Sequence, residues 1–428
     1  MPSGIIWLTW SLRFLIGAFF IFSGFVKGID PWGTYYKVAE YISLSGIEIW
    51  GNLKLVGVFF LNSFEFVLGV FIFFGCFRRW TIIWGLLFMA VMLPLTLWIA
   101  VANPVADCGC FGDALKLTNW ETFWKNIILT AGLIFLLKFN TSVHCLITPA
   151  LQWIFLTISA VFIVIIEFLG YNYQPLIDFR PFPIGSQLTE SMDEDEPEYL
   201  FVYGKGEERK YITSEEDLPG KDWEFIGREE LKRNNQTSQR ESKNEFKIWT
   251  VEENEDAISE ALDPEGKELI ILMPDLAKVS PATTWKLNSL DQWSNKNDVK
   301  LIAVVSGSKE EFDEWKDLAM PDYPVYQADD TQIKEIARGN PAVIYLIDGK
   351  IIWKSTLSFI NVDDFLSPDT GNDAENFDID NDLILYNLTI IYIICIIVLI
   401  TLSFTPDFFK FIFIKRRKIN HDDKIHHE

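Results

Sequence analysis

Hydrophobic residues crowd into six long runs, at 5–26, 52–75, 80–102, 122–139, 147–170 and 384–404. As helices, each approaches or exceeds the roughly 20 residues that cross about 30 Å of hydrocarbon. The pattern therefore predicts six membrane spans. The fourth run is short, but Trp120 and Trp124 flank it as interfacial anchors do. The first run is too long for a cleaved leader and ends in FSGFVKG without a small-residue cleavage site, so it is read as a helix.

Between the fifth and sixth runs the pattern changes. A Pro-rich exit (171–185) is followed by the acidic run SMDEDEPE, a hairpin over 199–213 around Gly204 and Gly206, and a polar linker at 236–245. Residues 267–366 then alternate between two periodicities. ELIILM, KLIAVVSG, PVYQAD and the pair in AVIYLIDGKIIWK read as strands, and 282–294, 309–319 and 331–337 read as helices. The expected organisation is a four-helix membrane domain (1–146), a fifth span (147–170), a linker and hairpin region (171–266), an α/β domain (267–366), a sixth span (384–404) and a basic tail (405–428).

Composition fits this division. The 428 residues are 49% hydrophobic yet carry a formal charge of −22. Residues 181–390 hold 46 acidic against 21 basic side chains, a net −25, so the remainder is slightly positive. One part suits lipid and the other water. The acidity excludes nucleic acid as a partner and favours solubility or basic partners. Basic residues set the orientation: CFRRW (76–80), Lys138 with His144, and KRRK (415–418) all fall on one side. By the positive-inside rule that side is the cytoplasm. Both termini are then expected inside, and the loops 27–51 and 103–121 outside together with 171–383, as in a multi-pass protein of a bacterial inner membrane.

Ionisable residues inside spans are costly and call for partners. Arg13 and Glu65 fall at similar distances from the cytoplasmic ends of their runs, so an Arg13–Glu65 pair is expected. It would serve either to fix helix pairing or as a polar site for a quinone head group or a proton relay. Gly17, Gly24, Gly69 and Gly75 suit close helix packing. Lys27 reads as a residue reaching for the interface.

The densest chemistry lies in NPVADCGCFGDALKLTNW (103–120), which holds Cys108 and Cys110 of the chain's five cysteines. A disulfide across one residue closes a strained ring that restrains little chain, which suits a labile redox pair better than a staple. Gly109 permits the tight turn. Asp107 and Asp113 oppose a thiolate unless Lys116 offsets them. A metal would need further ligands. The four histidines (His144, His421, His426 and His427) fall on the other side, so no metal is expected. A redox dithiol, a structural or vestigial pair and a metal site remain the three readings. Cys76, Cys145 and Cys395 are expected out of reach on the cytoplasmic side or within a span.

RFLIGAFFIFSGFVKGIDPWG, EFVLGVFIFFG and ANPVADCGCFGDALKLTNW, within roughly 5–140, resemble the DoxX/MauE group of bacterial four-helix membrane proteins. The resemblance implies thiol–disulfide or quinone-linked redox chemistry with Cys108 and Cys110 as the reactive pair. It also implies, through the MauE side, a link to methylamine metabolism. In layout the bundle is similar to quinone-coupled thiol oxidases of the DsbB and vitamin K epoxide reductase type, which relay electrons between two cysteine pairs. Here one pair is expected to face outward.

IDFRPFPIG resembles the same stretch in larger DoxX-like proteins that carry an outer thioredoxin-like domain. The order of elements in 267–366 resembles that fold, and GNPAVIYLIDGKIIWK matches its hairpin, which makes Pro341 the counterpart of the family's cis-proline. Where that family carries Cys-x-x-Cys, this chain has PDLAKVSPATTW, which implies a domain for binding or support rather than exchange. The expected fold is thus a membrane α-helical bundle, DoxX/MauE-like with two further spans, bearing an extracytoplasmic α/β thioredoxin-like domain. The expected function is membrane redox assistance to envelope protein clients, with quinone as an acceptor; the competing reading is a non-catalytic scaffold. A transporter is disfavoured by the few intramembrane polar residues and the lack of an inverted repeat.

Overall fold

The computed structural model describes residues 3–46, 50–105, 108–139, 145–188, 199–205, 208–212, 224–230, 246–252, 255–362 and 381–425. The acidic run 191–198, the polar linker 236–245, Asp107 and His144 lie outside them, as do His426 and His427.

The bundle is built from α1 (Ser3–Ile29), α2 (Pro31–Ser45), α3 (Gly51–Phe74), α4 (Arg78–Ala102), α5 (Asn119–Lys138) and α6 (Gln152–Asn172). A last helix, α11 (Asn381–Ile425), follows the α/β unit. Six of these helices are long and apolar enough to cross a membrane; α2 is the exception. Helix α2 occupies what reads in the sequence as a loop. Asp30 starts it, its Oδ1 accepting from the Gly33 amide at 3.0 Å, and Pro31 sits at the first helical position, where a missing N–H costs nothing.

Glycines let two helices of the bundle approach closely. Helices α1 and α3 run antiparallel with Gly17 against Phe73 and Gly24 against Phe66, while Gly69 packs on Phe20 and Ile21. A Cβ on Gly24 would stand 2.4 Å from the Phe66 amide nitrogen, and one on Gly69 would stand 2.4 Å from that of Ile21. Gly75 instead ends α3 in the left-handed conformation. Gly69→Leu will force the two helices apart, with an expected loss of at least about 1–3 kcal/mol. Thermal unfolding in detergent measures it against Gly57→Ala, whose new Cβ meets nothing within 4 Å.

This register corrects the expected Arg13–Glu65 pair. Gly17 lies beside Phe73, so Arg13 lies level with the turn at Phe77, whereas Glu65 lies level with Phe25. The two are therefore about 12 residues, or roughly 18 Å, apart along the axis. Matching the helix ends misplaced them because α1 extends past α3 there. Arg13 instead stacks on Trp10, 4.0 Å from the ring centroid.

Around this pair, α4 and α5 close one side through Met89 and Leu133, and α6 closes the other through Phe155, Ile163 and Ile166. Helix α11 docks on α6, where Tyr392 stacks on Phe162 at 4.1 Å and its hydroxyl meets Ser159 Oγ at 2.9 Å. Leu15, Phe60, Val91 and Ile128 face outward, where lipid covers them.

The α/β unit has a six-stranded sheet built from β4 (Trp249–Thr250), β5 (Lys267–Met273), β6 (Lys300–Val305), β7 (Val325–Gln327), β8 (Ala342–Ile347) and β9 (Lys350–Thr356). The strands are ordered β4-β7-β6-β5-β8-β9. β5, β6 and β7 are parallel, while β8, β9 and β4 pair antiparallel with their neighbours. Strands buried on both faces need the near-continuous apolar runs seen in ELIILM and LIAVV. Helices α8 (Thr284–Asn297) and α9 (Lys309–Ala319) cover one face through Leu287, Leu290, Phe312 and Trp315. Helix α10 (Asp330–Ile336) covers the other with Ile333 and Ile336, and a single helical turn, α7 (Ile258–Ala261), adds Ala261. Three further strands, β1 (Tyr199–Lys205), β2 (Glu208–Ile212) and β3 (Glu224–Glu230), form a separate antiparallel sheet.

The expected boundary at 266/267 does not coincide with the edge of the packed unit. Phe182, Leu188, Phe246 and Ile248, from the segment read as linker, are buried in its second core. Residues 185–188 also pair with the edge strand, the Gly185 amide donating to Ile351 O at 2.7 Å. Isolated apolar residues in polar surroundings carry no periodicity, which hides them from a sequence pattern.

Candidate functional site

The loop between α4 and α5 folds back over the end of α1. Its base is closed by Asn119, whose Nδ2 donates to Asn103 Oδ1 (2.8 Å) and Val105 O (3.0 Å). Thr118 and Glu121 form a reciprocal cap that starts α5. Phe111 is buried and wedges the loop onto α1, with its ring 5.0 Å from Phe19 and 5.6 Å from Phe22. At Gly109 the chain turns at φ +65°, and the Gly112 amide donates back to Gly109 O at 3.1 Å. Two bonds then fix the cysteine backbone. Tyr41 Oη donates to Cys108 O (2.9 Å), and Ser23 Oγ donates to Cys110 O (2.8 Å).

The result is a pair of free thiols with Sγ atoms 3.0 Å apart. Cys110 lies deeper, lining a cavity with Ser23, Lys27, Glu65, Lys125 and Asn126 amid Phe19, Phe20, Phe88, Met89 and Met92. Beneath it Lys27 Nζ donates to Glu65 Oε2 at 2.7 Å, with both side chains buried. Lys27 is thus held inside the bundle rather than reaching for the interface. Lys125 sits over the Phe111 ring at 4.7 Å. The Cys110 thiol is held low, at about 6, chiefly by its hydrogen bond with Cys108; burial opposes this, and Lys125 and Lys27 favour the thiolate. The Cys108 thiol is pushed up by the same bond and by burial. The pair thus divides into a good leaving thiolate and a protonated partner. The cations acting on Cys110 come from α1 and α5 rather than from Lys116.

The α/β unit meets this end of the bundle chiefly through Arg338, with Lys334 also lying over the Tyr36 ring at 5.0 Å. Arg338, just after α10, is buried, and its Nη2 donates to Asp30 Oδ2 (2.6 Å) and to Asp113 Oδ2 (2.9 Å). Its Nε donates to the same Asp30 oxygen at 3.0 Å. Gln174 pins its backbone from both sides, accepting from Arg338 N (2.9 Å) and donating to Arg338 O (2.6 Å). Asp113 belongs to the DCGCFGD element, so its charge is taken up by Arg338. Three residues on, the Asn340–Pro341 bond is cis. Pro341 therefore lies in the loop that docks beside the cysteine loop, while Arg13 lies at the opposite end of the bundle.

Sequence reasoning passed over Ser23 and Arg338, and it read Lys27 and Asp30 only as marking the outer end of the first helix. The available signal was Asp30–Pro31 as a helix start, which turns α2 and Tyr41 toward the cysteines.

Six apolar helices and this architecture define a multi-pass membrane protein. Within it, residues 5–139 match the family model described as methylamine utilisation protein MauE. No curated protein and no solved structure matches the chain.

Proposed function

We propose that the chain is a membrane thiol oxidant whose Cys108–Cys110 pair oxidises dithiols in envelope protein clients. The observation that carries this reading is the pair of thiols 3.0 Å apart, set above the buried Lys27–Glu65 ion pair. In the productive direction a client thiolate attacks Cys108 of the Cys108–Cys110 disulfide, and Cys110 leaves as the thiolate. The client's second thiolate then attacks the mixed disulfide, releasing Cys108. The client loses two electrons and two protons, and the pair gains both. Lys27 and Lys125 favour the leaving thiolate electrostatically.

The cavity at Cys110 holds about 20 Å³, room for a water rather than a quinone head group, so a quinone would require it to widen; Phe19, Phe20, Phe88, Met89 and Met92 would then supply apolar walls, and Lys27 and Asn126 donors. When bound, a quinone supplies a two-electron acceptor. The positive-inside pattern supports placing the cysteine loop and the α/β unit in the periplasm, with both termini in the cytoplasm. The sheet order and cis-Pro341 support a thioredoxin-like domain that has lost its cysteines and presents its proline loop beside the reactive pair. Methylamine utilisation, in the matched family's description, supports a link to methylamine metabolism.

Cys108→Ser with Cys110→Ser is expected to leave the protein in the membrane and to abolish client oxidation, read by trapping free thiols in intact cells. Unchanged client disulfides in the double variant would favour the scaffold reading, in which the bundle only holds the α/β unit.

A further inference from the structure

The opposite end of the bundle holds a second pair of cysteines that the sequence keeps 69 positions apart. Cys76 sits in the turn between α3 and α4, and Cys145 follows α5, with Sγ atoms 3.9 Å apart. Two turns of the chain are fastened together to bring them there. The Leu146 amide donates to Phe74 O at 3.1 Å. Gln152 joins both turns, its Oε1 accepting from the Phe77 amide (3.0 Å) while its Nε2 donates to Cys145 Sγ (3.2 Å) and Ile147 O (3.1 Å). Two cysteines that served only as small apolar residues would need no amide donor aimed at a sulfur.

The setting is cationic. A cavity beside the pair is lined by Cys76, Arg13, Arg78, Thr9 and Thr81. Cys145 is partly exposed and Cys76 is fully buried, the arrangement of an attacking and a resolving thiol. The Cys145 thiol is held at about 6, first by its hydrogen bond with Cys76 and against burial, with Arg13 and Arg78 favouring the thiolate.

We propose that Cys76 and Cys145 form a second reversible dithiol/disulfide couple, which exchanges with an external disulfide at the end of the bundle away from the sheet. The Cys145 thiolate attacks one sulfur of the disulfide R–S–S–R, giving a Cys145–S–S–R mixed disulfide and one RS⁻. Cys76 then attacks Cys145 Sγ, closing the internal bond and expelling the second RS⁻. The two thiol protons end on the two RS⁻ groups. The pair loses two electrons, and R–S–S–R gains them. A closure of under 2 Å takes the sulfurs from 3.9 Å to the bonded distance of about 2.05 Å.

The couple works apart from Cys108–Cys110. Cys110 is level with Ser23 on α1, whereas Cys76 is level with about Phe14, roughly 14 Å along the axis. Sulfurs so far apart do not exchange directly.

The test uses the full chain in detergent with Cys108, Cys110 and Cys395 replaced by serine, so that failure of the envelope-oxidant reading leaves it intact. The protein is equilibrated in reduced and oxidised glutathione mixtures, quenched with acid, and tagged under denaturing conditions with a mass-adding maleimide. The expected result is a single transition from two tags to none, with a peptide bridging Cys76 and Cys145. In Cys76→Ser, Cys145 should stop at a glutathione adduct. Two tags persisting in the most oxidising mixture, or bonds only between chains, would overturn the proposal. If a variant does not fold, peptide mapping of the oxidised wild-type chain decides the same question by the presence or absence of the Cys76–Cys145 bridge.

Discussion

Lys27→Leu is expected to be among the most damaging single substitutions in the membrane domain. It leaves Glu65 buried without the ammonium now 2.7 Å away, and breaking a buried pair in this way costs about 3–5 kcal/mol. Glu65→Leu strands the ammonium in the same manner. The double variant Lys27→Leu/Glu65→Leu, in contrast, removes both desolvation penalties and is expected to recover most of the stability, because well-packed apolar replacements of buried ion pairs are often neutral or better. Thermal unfolding of the four proteins in detergent closes this cycle. If the double variant is as unstable as the sum of the singles, the ion pair is not an isolated unit. If it is stable yet fails to oxidise clients, the pair acts on Cys110 rather than on folding.

Arg338→Ala should release the α/β unit from the cysteine loop. The substitution abandons Asp30, which is mostly buried, and Asp113, which is about a third exposed and so regains part of its loss from water. A destabilisation of roughly 2–4 kcal/mol in the docking contact is expected. It should appear as faster amide exchange in residues 336–341 and 108–116, with protection in β5 and β6 unchanged. Arg338→Lys should recover only part of the effect, because an ammonium does not reproduce the guanidinium fork between two carboxylates. Unaltered exchange in both segments would show that the contact does not hold the unit in place.

Much of the architecture was legible because burial in lipid and burial in a sheet both write long apolar runs. The spans and strands β5, β6, β8 and β9 all follow from such runs. Helix α2 does not: it has 15 residues and mixed polarity, and only Asp30–Pro31 marks it. Of the site, Cys108 and Cys110 were legible because both members lie in one short motif. Glu65 was visible as an expensive charge, but its partner was not. Choosing between Arg13 and Lys27 requires the α1–α3 register, which the glycines set in three dimensions. Arg338 reads as one of many charges on a soluble domain until Asp30 and Asp113 are placed against it. Cys76 and Cys145 were individually plain, and only the convergence of two turns makes them neighbours.

The α/β unit is leashed at both ends, by α6 where the chain enters and by α11 where it leaves, and those two helices pack on each other through Phe162, Ser159 and Tyr392. Undocking of Arg338 therefore never dilutes the proline loop into bulk solution. Its effective concentration over the cysteine loop stays near the millimolar range typical of short tethers. A contact too weak to join two separate proteins is enough here.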